Sequence, residues 1–404
     1  MRVDWVPERR GAWAEVDLSA IRNNVSLLVD MVGPSILCAV VKANAYGHGA
    51  REVAAAALDG GAQWLAVAFG EEALEIRESI TDVPILLLQE ISSGTNSNEI
   101  RELLELGIVP TVYSAEGIER IGRVSKLMNR QVGVHLKVDT GMHRVGADID
   151  DLQSLMESIS RFPSLGVAGL WSHLAVADGE YGEDIEFTGR QLGALRGVYD
   201  KFVQSGESPV MLHLANSAGA IAHPATRLDM VRCGISIYGE LPSEMVAGRL
   251  AEYLAGNISG QLIPALSLKA RVGYVRELEE GERLSYGRHY RLNRRSVIAT
   301  VPIGYADGLA RGMFKPGHNV DEGAGGYVLL RGERRPIAGT VTMDQILVDC
   351  GSDTSVSLDD EVVIIGEQGE DRITASEVAA KLGTISYEVF CGISSRIPRV
   401  YLNG

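Results

Sequence analysis

From Ala12 to about Tyr238, short apolar runs alternate with amphipathic stretches, and this repeat constrains the fold more than any other feature of the chain. The runs fall at 36–41, 64–68, 85–88, 109–112, 132–138, 167–171, 210–214 and 231–237. With so little polar interruption they suit strands buried on both faces, as in a parallel sheet. Helix-like segments lie between most of them, at 71–79, 97–106, 115–128, 150–161 and 184–204. Eight strands in βα order predict an α/β fold, a (β/α)8 TIM-type barrel. An open doubly wound sheet is the competing architecture, but no GxGxxG follows an early strand. After Arg249 the expected strands crowd together, at 266–278, 296–303, 327–331, 346–350 and 362–365, with a glycine-rich break at 321–326. That spacing predicts a mostly antiparallel β domain. One helix is expected there at 374–381, behind a Thr-Ala-Ser-Glu capping box. The expected division is a barrel over 1–246 and a β-rich domain over 247–404, with residues 1–13 packing on the second.

Composition narrows the function. Lys and Arg number 38 against 53 Asp and Glu, a net charge of −15. Such a surface repels nucleic acid and anionic membranes, so neither is an expected partner. Cys38, Cys233, Cys350 and Cys391 are widely spaced and form no CxxC, which suits inert thiols in a reducing compartment. The first ten residues lack the apolar core of a signal peptide, and no run reaches transmembrane length. A cytoplasmic location is expected, and no metal site.

Barrel enzymes place their chemistry at the carboxyl ends of the strands. Lys42 stands at the end of the first, ahead of a tight Tyr46-Gly47-His48-Gly49 loop and a helix-prone segment over 50–58. Such a lysine is commonly just solvated, but in a partly dry pocket its pKa falls and it forms Schiff bases. Later strand ends carry Lys137 and Arg144, then His173, then His213 with Asn216 and Ser217, then Arg232 followed by Gly234 and Ile235. Each has an ordinary explanation: a hydrogen-bonded histidine, a helix cap at Asn216-Ser217, ion pairs at Lys137 and Arg232. Packing alone does not require all of them at one mouth. Backbone N–H groups at Ser217 and at Gly234-Ile235 suit a phosphate. A lysine for an imine, donors for a phosphate and an arginine for a ring nitrogen point to pyridoxal 5′-phosphate.

Several stretches match a known family. They are Ala-Val-Val-Lys-Ala-Asn-Ala-Tyr-Gly-His-Gly, Leu-Lys-Val-Asp-Thr-Gly-Met-His-Arg-Val-Gly, Ala-Asn-Ser-Ala, Arg-Cys-Gly-Ile-Ser-Ile-Tyr-Gly, Leu-Ser-Tyr-Gly, Pro-Ile-Gly-Tyr-Ala-Asp-Gly, Thr-Met-Asp-Gln and Ile-Ser-Tyr-Glu-Val. In this order, from residue 39 to 389, they resemble the alanine racemase family of fold-type III pyridoxal-phosphate enzymes. The resemblance implies a homodimer with shared active sites that interconverts L- and D-alanine and supplies D-alanine for peptidoglycan. It makes Lys42 the cofactor-binding lysine and the base on one face of the substrate Cα. Tyr286, from the partner subunit, becomes the base on the other face, assisted by His173. Arg232 faces the cofactor ring nitrogen, with His213 behind it. An arginine cannot readily lose its proton, so that nitrogen should stay unprotonated. Arg144 contacts the cofactor and the substrate carboxylate, and Lys137 matches a lysine often carbamylated in the family. Tyr46, Asn216, Ser217, Gly234, Ile235 and Tyr387 match cofactor-binding positions, most of them at the phosphate. Met343 and Tyr305 match substrate-side residues, and Tyr305, Asp178, Arg311 and Ile385 line the access channel.

Two positions depart from the family pattern. Thr340 stands where the access channel normally carries an arginine, and Cys233 replaces a proline. The first opens the question of substrate range, so a racemase of serine or another amino acid is the nearest alternative. A fold-type III decarboxylase fits less well with the opposing tyrosine, and a non-catalytic pyridoxal-phosphate carrier lacks the second domain.

Overall fold

The computed structural model describes residues 11–257, 260–315 and 325–404. It divides into two compact units. One comprises Ala20–Ala45 and Ala50–Ile263; the other gathers the segment ending at Ser19, Tyr46–Gly49 and Pro264–Gly404. Residues 1–10, expected to pack with the second domain, and 321–324 of the glycine-rich break lie outside the described residues.

In the first unit all eight expected strands are present: Ile36–Val40, Trp64–Val67, Ile85–Glu90, Ile108–Val112, Val132–Lys137, Leu165–Trp171, Met211–His213 and Met230–Cys233. Each pairs in parallel with the next, and the eighth returns to the first with Val231 opposite Leu37, closing the barrel. Most of their side chains are buried, as continuous apolar runs require. The eighth strand is shorter than its apolar run. Gly234 (φ −105°, ψ −96°) leaves the extended region and Ile235–Tyr238 turns into a 3-10 helix. Several helices start where side-chain acceptors wait. Asn96 accepts from Asn98 and Glu99 N–H while Glu99 accepts from Asn96 N–H, a complete capping box before Ser97–Glu105. Ser114 caps Ala115–Met128, which stops at Asn129 in the left-handed region (φ 49°). The segment expected as a helix at 150–161 opens with a 3-10 turn, Ile149–Asp151, and continues as Leu152–Ser160.

The second unit is mostly antiparallel, as expected. Its main sheet runs Glu333–Pro336, Tyr327–Leu330, Glu361–Gln368, Leu266–Arg271, Ala12–Asp17, Arg399–Leu402. Ala12–Asp17 pairs antiparallel with Leu266–Arg271 and parallel with Arg399–Leu402. The run expected as one strand at 266–278 is two strands in different sheets. The break falls at Val272-Gly273, and Tyr274–Leu278 joins Ser296–Val301 and Ile346–Asp349 in a three-stranded sheet. A two-stranded hairpin, Arg283–Leu284 with Tyr290–Arg291, carries Tyr286 in its turn. The expected helix is Ala375–Leu382, capped by the Thr374 hydroxyl on Glu377 N–H.

Candidate active site

The first barrel strand ends at Val40, and the chain turns at once rather than first at Tyr46. Lys42–Tyr46 forms a left-handed turn in which Ala43, Asn44, Ala45 and Tyr46 all have φ of 52°. Four consecutive non-glycine residues in this region are costly, on the order of 1 kcal/mol each, and need external support. Glu72 supplies it: its carboxylate accepts from Ala43 N–H (2.6 Å), Ala68 N–H (2.7 Å) and Phe69 N–H (3.1 Å). Asn44 Oδ1 accepts from Ala50 N–H at 2.8 Å, opening the following helix. The turn leaves Lys42 half-buried at the carboxyl end of the barrel.

Arg232, buried on the eighth strand, is held by two neighbouring histidines and two carbonyls. It donates to His213 Nδ1 (2.8 Å), His173 Nδ1 (3.3 Å), and the carbonyls of Ser172 (2.8 Å) and Leu214 (3.0 Å). A guanidinium only donates, so both imidazoles must present a bare Nδ1. Neutral His213 then carries its proton on Nε2 and donates it to His135 Nδ1, 2.9 Å away. His135 in turn is protonated on Nε2. The tautomers of three histidines therefore follow from one arginine. Burial, with Arg232 as the next cause, holds His213 and His173 well below the ordinary imidazole range and His135 down to about 4. Burial also lowers Arg232 itself to about 10, which leaves it charged at neutral pH.

Trp171 packs this cluster. The His213 ring lies parallel to it (10°, centroids 5.5 Å), the Arg232 guanidinium sits 4.5 Å from its centroid and Lys137 Nζ 4.4 Å. Lys137 is buried, and desolvation brings its pKa to about 7, helped by Arg232, Arg144 and Lys42 against an opposing pull from Asp139. Arg144 is on the exposed loop after the fifth strand, where Asp139 accepts from Gly141 and His143 N–H. Buried Gln191 ties that loop to the next, donating to Thr140 Oγ1 and the His173 carbonyl and accepting from Ala175 N–H. Three cations bear on Lys137 and one carboxylate offsets them, so the mouth of this barrel suits an anionic ligand.

On the seventh strand's loop, Asn216 caps the short helix Ser217–Ala222 through Gly219 N–H (2.9 Å). The ordinary reading of Asn216 as a helix cap thus holds. Ser217 Oγ accepts from Gly234 N–H at 3.0 Å, which brings the expected phosphate-side residues Ser217 and Gly234 together beside Ile235. Asp178 is exposed, its carbonyl bonded to Ser243 Oγ.

The remaining candidates belong to the second unit. Tyr46 and Tyr387 lie with ring centroids 5.9 Å apart, and burial raises the Tyr46 phenol above its usual range. Tyr305 and Ala306 donate their N–H groups to the Thr342 (2.9 Å) and Met343 (3.1 Å) carbonyls, locking two loops together. Arg311, itself exposed, starts the 3-10 turn Arg311–Met313, and Ile385 precedes the helix Ser386–Gly392 that holds Tyr387. Tyr286, Tyr305, Met343 and Ile385 are all exposed, Tyr286 to 73%. Thr340 is buried, and its hydroxyl donates to the Tyr286 carbonyl at 2.9 Å.

Comparison with known proteins bears on this arrangement. The family profile described as alanine racemase, N-terminal domain, matches residues 16–242, and that described as alanine racemase, C-terminal domain, matches 265–401. The chain belongs to the alanine racemase family. It is 41% identical to the alanine racemase of Symbiobacterium thermophilum over 97% of both chains. It is 38% identical to that of Methanococcus maripaludis, over 97% of this chain and 98% of the relative. The crystal structure of alanine racemase from D-cycloserine-producing Streptomyces lavendulae superposes with a TM-score of 0.87 at 34% identity, covering 99% and 98% of the two chains. As a member of the alanine racemase family the chain is an isomerase.

Three participants were missed in the sequence reading. His135 was legible: along Val132–Lys137 alternate residues share a face, so a candidate Lys137 implied that His135 points the same way. Trp171, two positions before His173 and at the end of the apolar run 167–171, passed as core. Glu72 gave no signal, since its three backbone donors come from two separate loops.

Proposed function

We propose that the protein interconverts L- and D-alanine with pyridoxal 5′-phosphate held covalently through Lys42. In this reading the barrel domain binds the cofactor and the β-rich domain of a second copy completes the site. The observation that carries it is the cluster of Lys42, Arg232, Lys137 and Arg144 at one barrel mouth, with Ser217 and Gly234 adjoining. That donor set fits the group: an amine for its aldehyde, hydroxyl and amide donors for its phosphate, a guanidinium for its ring nitrogen. When bound, the cofactor draws electrons from the substrate Cα and makes its hydrogen acidic.

The chain's own groups divide the rest of the work. Lys42 holds or takes the proton on one face of Cα, and Tyr286 of a second copy does so on the other. His173, kept neutral with its proton on Nε2, assists that phenol. Arg232 donates to the ring nitrogen and keeps it unprotonated, in an orientation fixed by His213 and two carbonyls. Arg144 holds the substrate carboxylate, and Lys137, if carbamylated, orients Arg144. Tyr46, Tyr387, Asn216, Ser217, Gly234 and Ile235 hold the cofactor, and Met343 and Tyr305 contact substrate. Asp178, Arg311, Thr340 and Ile385 border its approach. Exposure of Tyr286, Tyr305, Met343 and Ile385 on a single chain supports a homodimer in which a second copy covers them. Among the described residues no helix is long and apolar enough to cross a membrane, and no group of histidine, cysteine or carboxylate side chains suits a metal. We place the enzyme in the cytoplasm, supplying D-alanine for peptidoglycan.

The test is Lys42→Ala. The purified variant should lose the yellow absorbance of covalently held cofactor and all racemisation of alanine. Retention of both by a folded variant sinks the assignment. Because Thr340 replaces the arginine of the channel, serine and other small amino acids should be compared with alanine by kcat/KM.

A further inference from the structure

Within the hairpin that carries Tyr286, Arg288 N–H donates to the Ser285 carbonyl (3.1 Å) and Arg283 Nη1 to the Arg288 carbonyl (3.1 Å), but neither bond reaches Tyr286 itself. Ser285 (φ 59°), Gly287 (φ 75°) and Arg288 (φ 51°) all sit in the left-handed region around it. Two of these are not glycine, so the hairpin tip needs outside support. It comes from the segment at 339–340. Ser285 Oγ donates to the Thr340 carbonyl at 2.6 Å, and Thr340 Oγ1 donates back to the Tyr286 carbonyl at 2.9 Å. The two bonds run in opposite directions between Thr340 and the adjacent residues Ser285 and Tyr286, and pin the peptide that carries the phenol. Gly339 (φ 99°) permits the approach: a Cβ there would stand 2.9 Å from Ser285 Cβ and 3.1 Å from the Leu284 carbonyl. Beneath the hairpin, Leu284, Tyr290, Leu292, Ile298 and Ala338 form a small apolar core that packs its base, while the clasp holds the Tyr286 carbonyl at its tip.

We propose that Thr340 is a positioning residue for Tyr286, its hydroxyl fixing where the phenol is presented. This rests on the reading of Tyr286 as the second base. Where the resemblance calls for a charged channel residue, this chain carries a short hydroxyl turned inward onto its own backbone. An arginine lacks the branched hydroxyl that makes the return bond, so the substitution exchanges a channel charge for a turn clamp. The phenol itself stays outside the clasp, free to act.

The two directions of a racemisation share one equilibrium constant, so kcat/KM falls equally in both whichever base is impaired. The informative readout is deuterium wash-in from solvent into each unreacted enantiomer of alanine, measured on the holoenzyme. Thr340→Val removes the donor at constant shape; Thr340→Ser keeps it. The valine variant should slow wash-in for the enantiomer whose hydrogen faces Tyr286 by about tenfold, the scale of one buried hydrogen bond. Wash-in for the other enantiomer and the cofactor absorbance should not change, and the serine variant should stay within about twofold of the parent. Amide exchange in the peptide over 284–290 should quicken in the valine variant alone. If Tyr286→Phe shows the directional loss while Thr340→Val does not, or if serine fails as valine does, the clasp is overturned and the second base stands. If Tyr286→Phe shows no directional loss, the second base is wrong and the clasp falls with it. Unchanged amide exchange in Thr340→Val also overturns the clasp.

Discussion

Replacing His213 by phenylalanine tests whether the Arg232 cluster is held by hydrogen bonding or by packing. Phenylalanine keeps a planar ring to lie parallel to Trp171 but has neither nitrogen. Two buried bonds are lost: the acceptor of Arg232 Nη1 at 2.8 Å and the donor to His135 Nδ1 at 2.9 Å. A buried bond to a charged group contributes about 1.5–3 kcal/mol, and an unsatisfied neutral acceptor costs about 1–3 kcal/mol. Arg232 keeps its bonds to the Ser172 and Leu214 carbonyls, which limits the damage. The expected loss is therefore about 3 kcal/mol. His213→Asn, whose side-chain oxygen can stand near the old Nδ1, should recover about half of it. Urea unfolding at fixed protein and saturating cofactor, followed by tryptophan fluorescence, measures the difference. A phenylalanine variant within about 0.5 kcal/mol of the parent would refute the argument. So would an asparagine variant no better than phenylalanine, because packing would then account for the cluster.

Acid should destabilise the folded barrel through the same histidines. His135 binds its proton near 6.5 when unfolded and only near 4 when folded, so between those values the unfolded chain holds the extra proton. Stability from this group is intact above about pH 6.5 and falls by on the order of 3 kcal/mol by pH 4. His173 and His213 push the same way. A His135→Leu variant whose unfolding rate rises as steeply as the parent's over that window would contradict this. Lys137, neutral above about pH 7, should take up carbon dioxide as a carbamate there and lose it below. A carbon-13 carbamate resonance that appears with labelled bicarbonate at pH 8, fades at pH 6 and is absent in Lys137→Gln would report it; persistence in the glutamine variant would place the modification elsewhere.

The barrel was legible because its strands are buried on both faces. Their apolar runs, such as 85–88, need no partner to be recognised. Where a strand changes sheets the pattern misleads: 266–278 reads as continuous because the alternation of Leu266, Leu268, Ala270 and Val272 carries on to Tyr274. Arg399–Leu402 went unread as a strand, since its pattern is short and its pairing is with residues almost four hundred positions away. At the site, residues at strand ends were readable from position alone. Thr340 was not. Its sequence gave a missing charge; only the fold shows the hydroxyl turned onto the Tyr286 carbonyl. The left-handed turn after Lys42 was hidden for a similar reason, because Ala-Asn-Ala-Tyr carries no glycine and the turn is supported at Ala43 by Glu72, from the first turn of the helix Gly70–Arg77.

Pairing Ala12–Asp17 with Arg399–Leu402 also dictates an order of events during synthesis. Residues 20–263 hold every barrel strand and can assemble as they leave the ribosome, built from neighbouring pairings. The earliest strand, though made first, must wait: one of its flanks stays bare until residues 399–402 emerge. A stalled or clipped nascent chain would thus carry a finished barrel trailing an unmated edge, open to aggregation.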